Sequence, residues 1–250
     1  MLISITEKCR MGCPHCMDCA TPEGSDMDMK TFQEAVRFFN MYGSLVMLIT
    51  GGEPTENPQC VDMLDYALRN TNELTQILLA TNAMNIAGNN KLQDDLSHLI
   101  DHYNGRLQIQ ITSVDGLYPI KVDFNEPFFS QRNVTICTQI ESMYPQGRAI
   151  ENGFPTEAKA SKCFNIRSLI RSFGNLKIAS VTLATRFHFC TPRVNWNGDL
   201  KLGESRLCPT VCTIFDDEET INQKIKDFRC DKCGLIGRLD YKYRAAVGEV

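Results

Sequence analysis

The chain has 250 residues, enough to bury one sizeable core with room for a small second unit. Its 26 Lys and Arg against 30 Asp and Glu leave a formal net charge of −4, which gives no electrostatic pull toward nucleic acid or an anionic membrane surface. No apolar run approaches the ~20 residues that span a bilayer, and residues 1–8 are too short and polar for a signal-peptide core, so the expectation is a cytoplasmic protein that binds neither membrane nor nucleic acid.

Residues 1–6 (MLISIT) predict a short buried strand ending just before Cys9. Residues 29–42 have helical spacing, with Phe32, Ala35, Val36 and Phe39 on one face. The apolar run 45–50 (LVMLIT), bounded by Gly43 and Gly51, predicts a strand buried on both faces. A helix is expected at 61–69, a strand at 74–81, and an amphipathic helix at 91–103 through Leu92, Leu96, Leu99 and Ile100. Further strands are expected at 107–112 and 133–140. Strand and helix alternate at roughly thirty-residue spacing, the pattern of βα units around a parallel sheet. Ligands of such sheets bind at the C-terminal strand ends, where the loops lie. Cys9, Gly51, Thr81 and Ser113 each fall just past a predicted strand. From residue 144 the pattern changes. Pro145, Gly147, Gly153 and Pro155 suggest a break, 163–173 reads as helix, and 177–187 favours strand. Asn197 and Gly198, between 194–196 and 199–202, signal a two-residue hairpin turn.

Twelve cysteines depart from this ordinary composition. Disulfides are the weaker explanation in a chain expected to stay in a reducing compartment. Spread evenly, the cysteines would read as small buried hydrophobes. Instead Cys9, Cys13, Cys16 and Cys19 crowd one end, and Cys190, Cys208, Cys212, Cys230 and Cys233 the other, which argues for metal at both. Cys9, Cys13 and Cys16 have the form CxxxCxxC. Three thiolates on one loop can each hold one iron of a cubane [4Fe–4S] cluster, leaving the fourth iron open, whereas a closed electron-transfer cluster takes four cysteines. A zinc ribbon from Cys13/Cys16 and Cys230/Cys233 would need partners about two hundred residues apart, far outside its usual spacing.

This loop, with Gly51, Gly52, Glu53 and Pro54 (GGEP) after the second predicted strand, resembles the radical S-adenosylmethionine (SAM) superfamily. The resemblance implies a partial (β/α)6 TIM-like barrel over residues 1–160. It also implies SAM chelated to the open iron and cleaved by one electron to methionine and a 5′-deoxyadenosyl radical. GGEP then contacts the SAM amino group. Thr81 and Asn82 match the relatives' Thr-Asn-Gly, with Ala83 replacing the glycine. Ser113 and Asp115 stand where relatives place contacts to the SAM ribose or carboxylate, and Arg148 stands in a Gly-Arg-Ala segment common after the fifth strand. Cys19 reads as a bystander, because three ligands complete the motif, and His15 as packing.

Cys190, Gly203 and Cys208 have the spacing C-x12-G-x4-C, with Cys230 and Cys233 following. This resembles the twitch domain, a shortened SPASM domain in which a β-hairpin and a short helix present four cysteines to one auxiliary [4Fe–4S] cluster. Residues 161–250 would form that unit. The 21 residues between Cys208 and Cys230 are a shorter span than usual, and Cys212 or Cys163 can replace one of the four. A structural zinc site is the alternative use of such cysteines.

The resemblance implies a radical SAM oxidoreductase or maturase fed by an electron donor such as flavodoxin or ferredoxin. Its substrate is expected to be a peptide or protein side chain. The alternatives are a small-molecule dehydrogenase of aminocyclitol type and a non-catalytic iron–sulfur redox protein. Because the sequence starts directly at its first predicted strand, no fused peptide-recognition module is expected, which lowers the peptide reading without removing it, since recognition can reside in a partner. Glu204, Arg193, Tyr118 and His188 are candidates to face the substrate, and the sequence selects none of them.

Overall fold

The structure, a computed structural model, describes residues 1–42, 44–140, 143, 146–155, 192–203 and 208–227. Strands β1 (Leu2–Ser4), β2 (Val46–Thr50), β3 (Gln76–Thr81), β4 (Leu107–Thr112) and β5 (Val134–Cys137) follow one another in parallel. Helices α1 (Met29–Tyr42), α2 (Cys60–Asn70) and α3 (Asn90–His102) make the first three crossovers. This is the predicted βα alternation, with each element within three residues of its expected bounds. The described residues form the mixed α/β fold of a partial TIM-like barrel.

Alternation along the strands separates two faces. Ile3, Met47, Ile49, Ile77, Leu79, Ile109 and Ile111 are buried against Phe32, Val36, Met63, Leu64 and Leu96 of the helices. A one-residue slip of β3 would turn Ile77 and Leu79 out of this core, at a cost of about 1.5–3 kcal/mol each. The other face carries Leu48, Thr50, Leu78, Gln108 and Gln110, all only half-buried. Strand β2 is therefore not buried on both faces as its apolar run suggests, and Val46 is 49% exposed. The second face looks into the concave side of an incomplete barrel.

A short α4 (Arg148–Glu151) follows, and then the C-terminal hairpin of β6 (Pro192–Val194) and β7 (Asp199–Leu202). The hairpin loop holds three residues rather than the expected two. Asn195 N donates to Asp199 O, and Gly198 closes the turn at φ +85°, the geometry of a loop ending in a left-handed glycine. Strand β8 (Thr210–Thr213), not anticipated from sequence, pairs with β7, and α5 (Glu218–Asp227) follows it.

The hairpin joins the barrel's sheet, in which β6 lies parallel beside β1 and the order is β5-β4-β3-β2-β1-β6-β7-β8. Leu2 is level with Arg193, Arg193 with Lys201, and Lys201 with Thr210. Because β8 runs parallel to β1, Cys208 precedes the sheet's N-terminal edge, while the Cys9–Cys16 loop leaves its C-terminal edge. No helix among the described residues is long and apolar enough to cross a membrane. The predicted helix at 163–173 and strand at 177–187 lie outside the described residues, as do Cys163, Cys190, Cys230, Cys233, His188 and Glu204.

Candidate cluster and cofactor site

The cysteine loop is held from its base. Gly52 N donates to Thr6 O at 2.8 Å and Glu53 N to Lys8 O at 2.7 Å, so the segment after β2 lies alongside the chain leading to Cys9. A β-carbon on Gly51 would stand 2.4 Å from Thr6 O, and one on Gly52 would stand 2.2 Å from Lys8 O. The two glycines permit this contact, so what they approach is the cysteine loop's own backbone. Pro54 is buried and opens a 3-10 turn, Pro54–Glu56.

Glu53 ties β2 to β3. Its Oε1 accepts from Thr55 N at 3.1 Å, Thr55 Oγ1 at 2.6 Å and Thr81 Oγ1 at 2.6 Å, and its Oε2 accepts from Asn82 N at 2.7 Å. Complete burial raises the carboxyl pKa, and these four donors oppose that rise. All four partners donate, as suits an ionised carboxylate. Asn82 in turn directs its Nδ2 to Cys9 Sγ at 3.7 Å. The next residue, Ala83, is fully buried at φ +61°. A left-handed backbone is what the glycine of relatives tolerates, and here alanine adopts it.

Residues 147–152 grip the loop from the other side. Arg148 N donates to Cys16 O at 3.0 Å, Arg148 Nη2 to Ala20 O at 3.1 Å, and Asn152 Nδ2 to Pro14 O at 2.8 Å. Gly147 takes φ +61°, and a β-carbon there would stand 2.6 Å from Cys16 O.

Between these supports lies a cavity of about 270 Å³. Cys9, Cys13 and Cys16 line one side, and Gly52, Glu53, Thr81, Asn82 and Thr112, from the ends of β2, β3 and β4, line another. His15, Met17, Ala80, Tyr118, Ile140 and Met143 complete it. Burial pushes the Cys9 thiol up to about 11, aided by the charges of Glu53, Glu56 and Cys16. Burial and the neighbouring Cys9 and Cys16 push Cys13 up to about 12, with Arg148 opposing. Buried thiols raised in this way, beside a third, are a donor set that a cationic metal core would convert to thiolates. The residues present fit an iron–sulfur cluster. Among the described residues no three His, Cys, Asp or Glu side chains converge on one ion, but a cubane does not ask for that, because each thiolate binds a different iron.

Tyr118 faces the same thiols. Burial raises its phenol pKa, and Cys13, Cys16, Glu53 and Cys9 add to the rise. Its ring packs on His15, with centroids 5.3 Å apart. His15 has the packing role expected of it but also lines the cavity, and its buried Nδ1 has no hydrogen-bond partner among the described residues.

The site draws in some predicted residues and not others. Asp115 is 96% exposed at its side chain and sits 3.5 Å from Lys121 Nζ, away from the cavity. Ser113, whose N donates to Cys137 O, is half-buried and does not line the cavity, nor does Cys19 at φ +51°. Thr112 supplies the β4 contribution instead, on the same face as Gln108 and Gln110, a parity readable from strand alternation. Met17, Ile140 and Met143 carried no sequence signal. Near the C-terminus, Cys212 is buried in the main core opposite Leu200. Burial pushes its thiol up to about 11.

Residues 3–127, half of the chain, match the Radical SAM superfamily, and the chain belongs to it. Membership implies a [4Fe–4S] cluster and SAM. Over 126 residues the chain is 33% identical to the Bos taurus protein "Molybdenum cofactor biosynthesis protein 1", a match covering 49% of this chain and 18% of that protein. The chain therefore spans under a fifth of that relative's length. The crystal structure of BtrN in complex with AdoMet and 2-DOIA superposes with a TM-score of 0.60 at 11% identity, covering 95% of this chain and 85% of that one. Streptococcus suis SuiB bound to S-adenosylmethionine gives a TM-score of 0.43 at 14% identity, over 92% of this chain and 68% of that one. The likeness to BtrN is one of fold.

Proposed function

We propose that this chain reductively cleaves SAM at a [4Fe–4S] cluster held by Cys9, Cys13 and Cys16, and that the resulting 5′-deoxyadenosyl radical takes a hydrogen atom from a substrate. One observation carries this reading: three thiols share a cavity with the C-terminal ends of β2, β3 and β4. Three thiolates leave one iron for SAM. In this proposal Gly51, Gly52, Glu53, Pro54, Thr81 and Asn82 shape the SAM pocket, with Thr112 and Tyr118 beside them. Glu53 acts by holding Thr81 and Asn82 in place, since its oxygens are taken by four protein donors. Arg148 holds the loop and its charge favours the Cys13 thiolate. Ser113 and Asp115 have the weaker support, being outside the cavity lining.

An auxiliary cluster on Cys190, Cys208, Cys230 and Cys233 belongs to the same proposal, with residues 1–160 as the barrel and 161–250 as the auxiliary unit. Cys208 lies at the sheet end opposite Cys9 and the SAM cavity, a placement that does not by itself bring it across the substrate. In this proposal the auxiliary cluster would accept an electron from a substrate radical without touching SAM. Cys212, inside the apolar core, is the poorer ligand candidate.

The substrate proposed first is a peptide or protein side chain, the class that the SPASM and twitch resemblance implies. The extent of the match to BtrN, whose structure holds 2-DOIA, brings a small polar molecule as the second reading. A flavodoxin- or ferredoxin-type donor in the cytoplasm would supply the electron.

Electron paramagnetic resonance (EPR) of the anaerobically reconstituted, reduced protein tests the proposal. Adding SAM should change the signal of one cluster, and about eight irons per chain should be bound. A signal indifferent to SAM contradicts the site assignment. Four irons with one zinc contradict the auxiliary cluster.

A further inference from the structure

The C-terminal hairpin reaches the cysteine loop through a buried charge. Arg193 of β6 is 7% exposed. Its Nη1 lies 3.0 Å from Asp18 Oδ1, and its Nη2 lies 3.5 Å from Ser4 Oγ. Asp18 sits between Cys16 and Cys19, in the part of the loop where Cys19 turns through φ +51°. Around the pair is a polar cavity of about 150 Å³, with Ala20 and Gly52 on the loop side and Trp196 and Lys201 on the hairpin side. Across this gap an ion pair joins hairpin to loop.

We propose that Arg193 is a positioning residue for the N-terminal cluster, holding the 16–19 limb of the cysteine loop through Asp18. The proposal rests on the reading that Cys9, Cys13 and Cys16 hold a cluster. The carbonyls of Pro14, Cys16 and Ala20 are anchored from the α4 side. Between Cys16 and Ala20, Asp18 adds an anchor from the hairpin side. Arg193 is buried and Asp18 partly so, and breaking such a pair from one side costs more than removing both charges together. An unpaired Asp18 carboxylate is drawn toward water, and Cys16, two residues away, moves with it. The hairpin that carries Arg193 leads on to Cys208, so the two ends of the chain are mechanically linked through this contact.

The test uses full-length protein, loaded anaerobically, with the SAM-responsive EPR signal followed while a ferrous chelator strips iron. Arg193→Met and Asp18→Asn should each speed the loss of that signal, Arg193→Met by about tenfold or more. Arg193→Lys should stay near the wild-type rate. The double variant Asp18→Asn/Arg193→Met should lose signal more slowly than the product of the two single effects predicts, because the partners act as a unit. Wild-type rates in both single variants, or single effects that multiply independently, overturn the proposal. If Arg193→Met does not fold, Asp18→Asn with and without Arg193→Lys decides the same question from the loop side. A wild-type protein that takes up iron but shows no SAM-responsive signal would instead overturn the underlying reading of the site.

Discussion

Replacing Glu53 with Gln isolates what its carboxylate holds together. Oε1 accepts from Thr55 N, Thr55 Oγ1 and Thr81 Oγ1, and Oε2 accepts from Asn82 N. An amide offers one acceptor oxygen and one NH2 group. With its oxygen at the Oε1 position, the NH2 confronts the Asn82 N–H. Flipped, it confronts the Thr55 N–H. The hydroxyls of Thr55 and Thr81 can turn to accept, but a backbone N–H cannot, so one is orphaned in either pose. With the charge assistance also lost, the cost is about 2–3 kcal/mol. At about 2–4 °C per kcal/mol for a chain of this size, the Tm should fall by about 4–12 °C. The assay is thermal unfolding of metal-free protein, so that cofactor binding does not contribute. A Tm within about 1 °C of wild type would refute the reasoning. It would mean that burial has already protonated the carboxyl, which Gln then mimics.

Cys13→Ala should abolish reductive SAM cleavage, whereas Cys19→Ala should leave it largely intact, as 5′-deoxyadenosine quantified by chromatography will show. Gly52→Ala places a β-carbon 2.2 Å from Lys8 O. It should cost about 1–3 kcal/mol in denaturant unfolding, with reduced iron uptake. Cys212→Ala should keep the wild-type iron content at a modest loss of stability, while Cys208→Ala should lose about four irons. Equal iron in the two variants would remove Cys208 from the ligand set.

The barrel was legible because its evidence is local. Apolar residues at helical spacing mark α1, α2 and α3, and an apolar run between Gly43 and Gly51 marks β2. The hairpin's attachment was not legible. Strands β1 and β6 have three residues each, too few for periodicity to speak, and their pairing joins positions nearly two hundred apart. Strand β8 was obscured by Cys212, whose place in a cysteine-rich stretch suggested a ligand although its neighbours Val211 and Ile214 are apolar. In the site, CxxxCxxC and GGEP announced the chemistry, but Gly51 and Gly52 serve a backbone contact that composition does not reveal. Asp115 looked suitable by type and order along the chain. Strand parity carries Thr112 into the cavity, and the turn after β4 carries Asp115 out to solvent.

The most direct test of the account is whether the reconstituted protein, reduced with dithionite and given SAM, forms 5′-deoxyadenosine and methionine in equal amounts. The account predicts that it does, and that the Cys9→Ala/Cys13→Ala/Cys16→Ala protein does not. Full iron loading at the N-terminal site with no 5′-deoxyadenosine, under conditions where a known radical SAM enzyme forms it, would contradict the central claim.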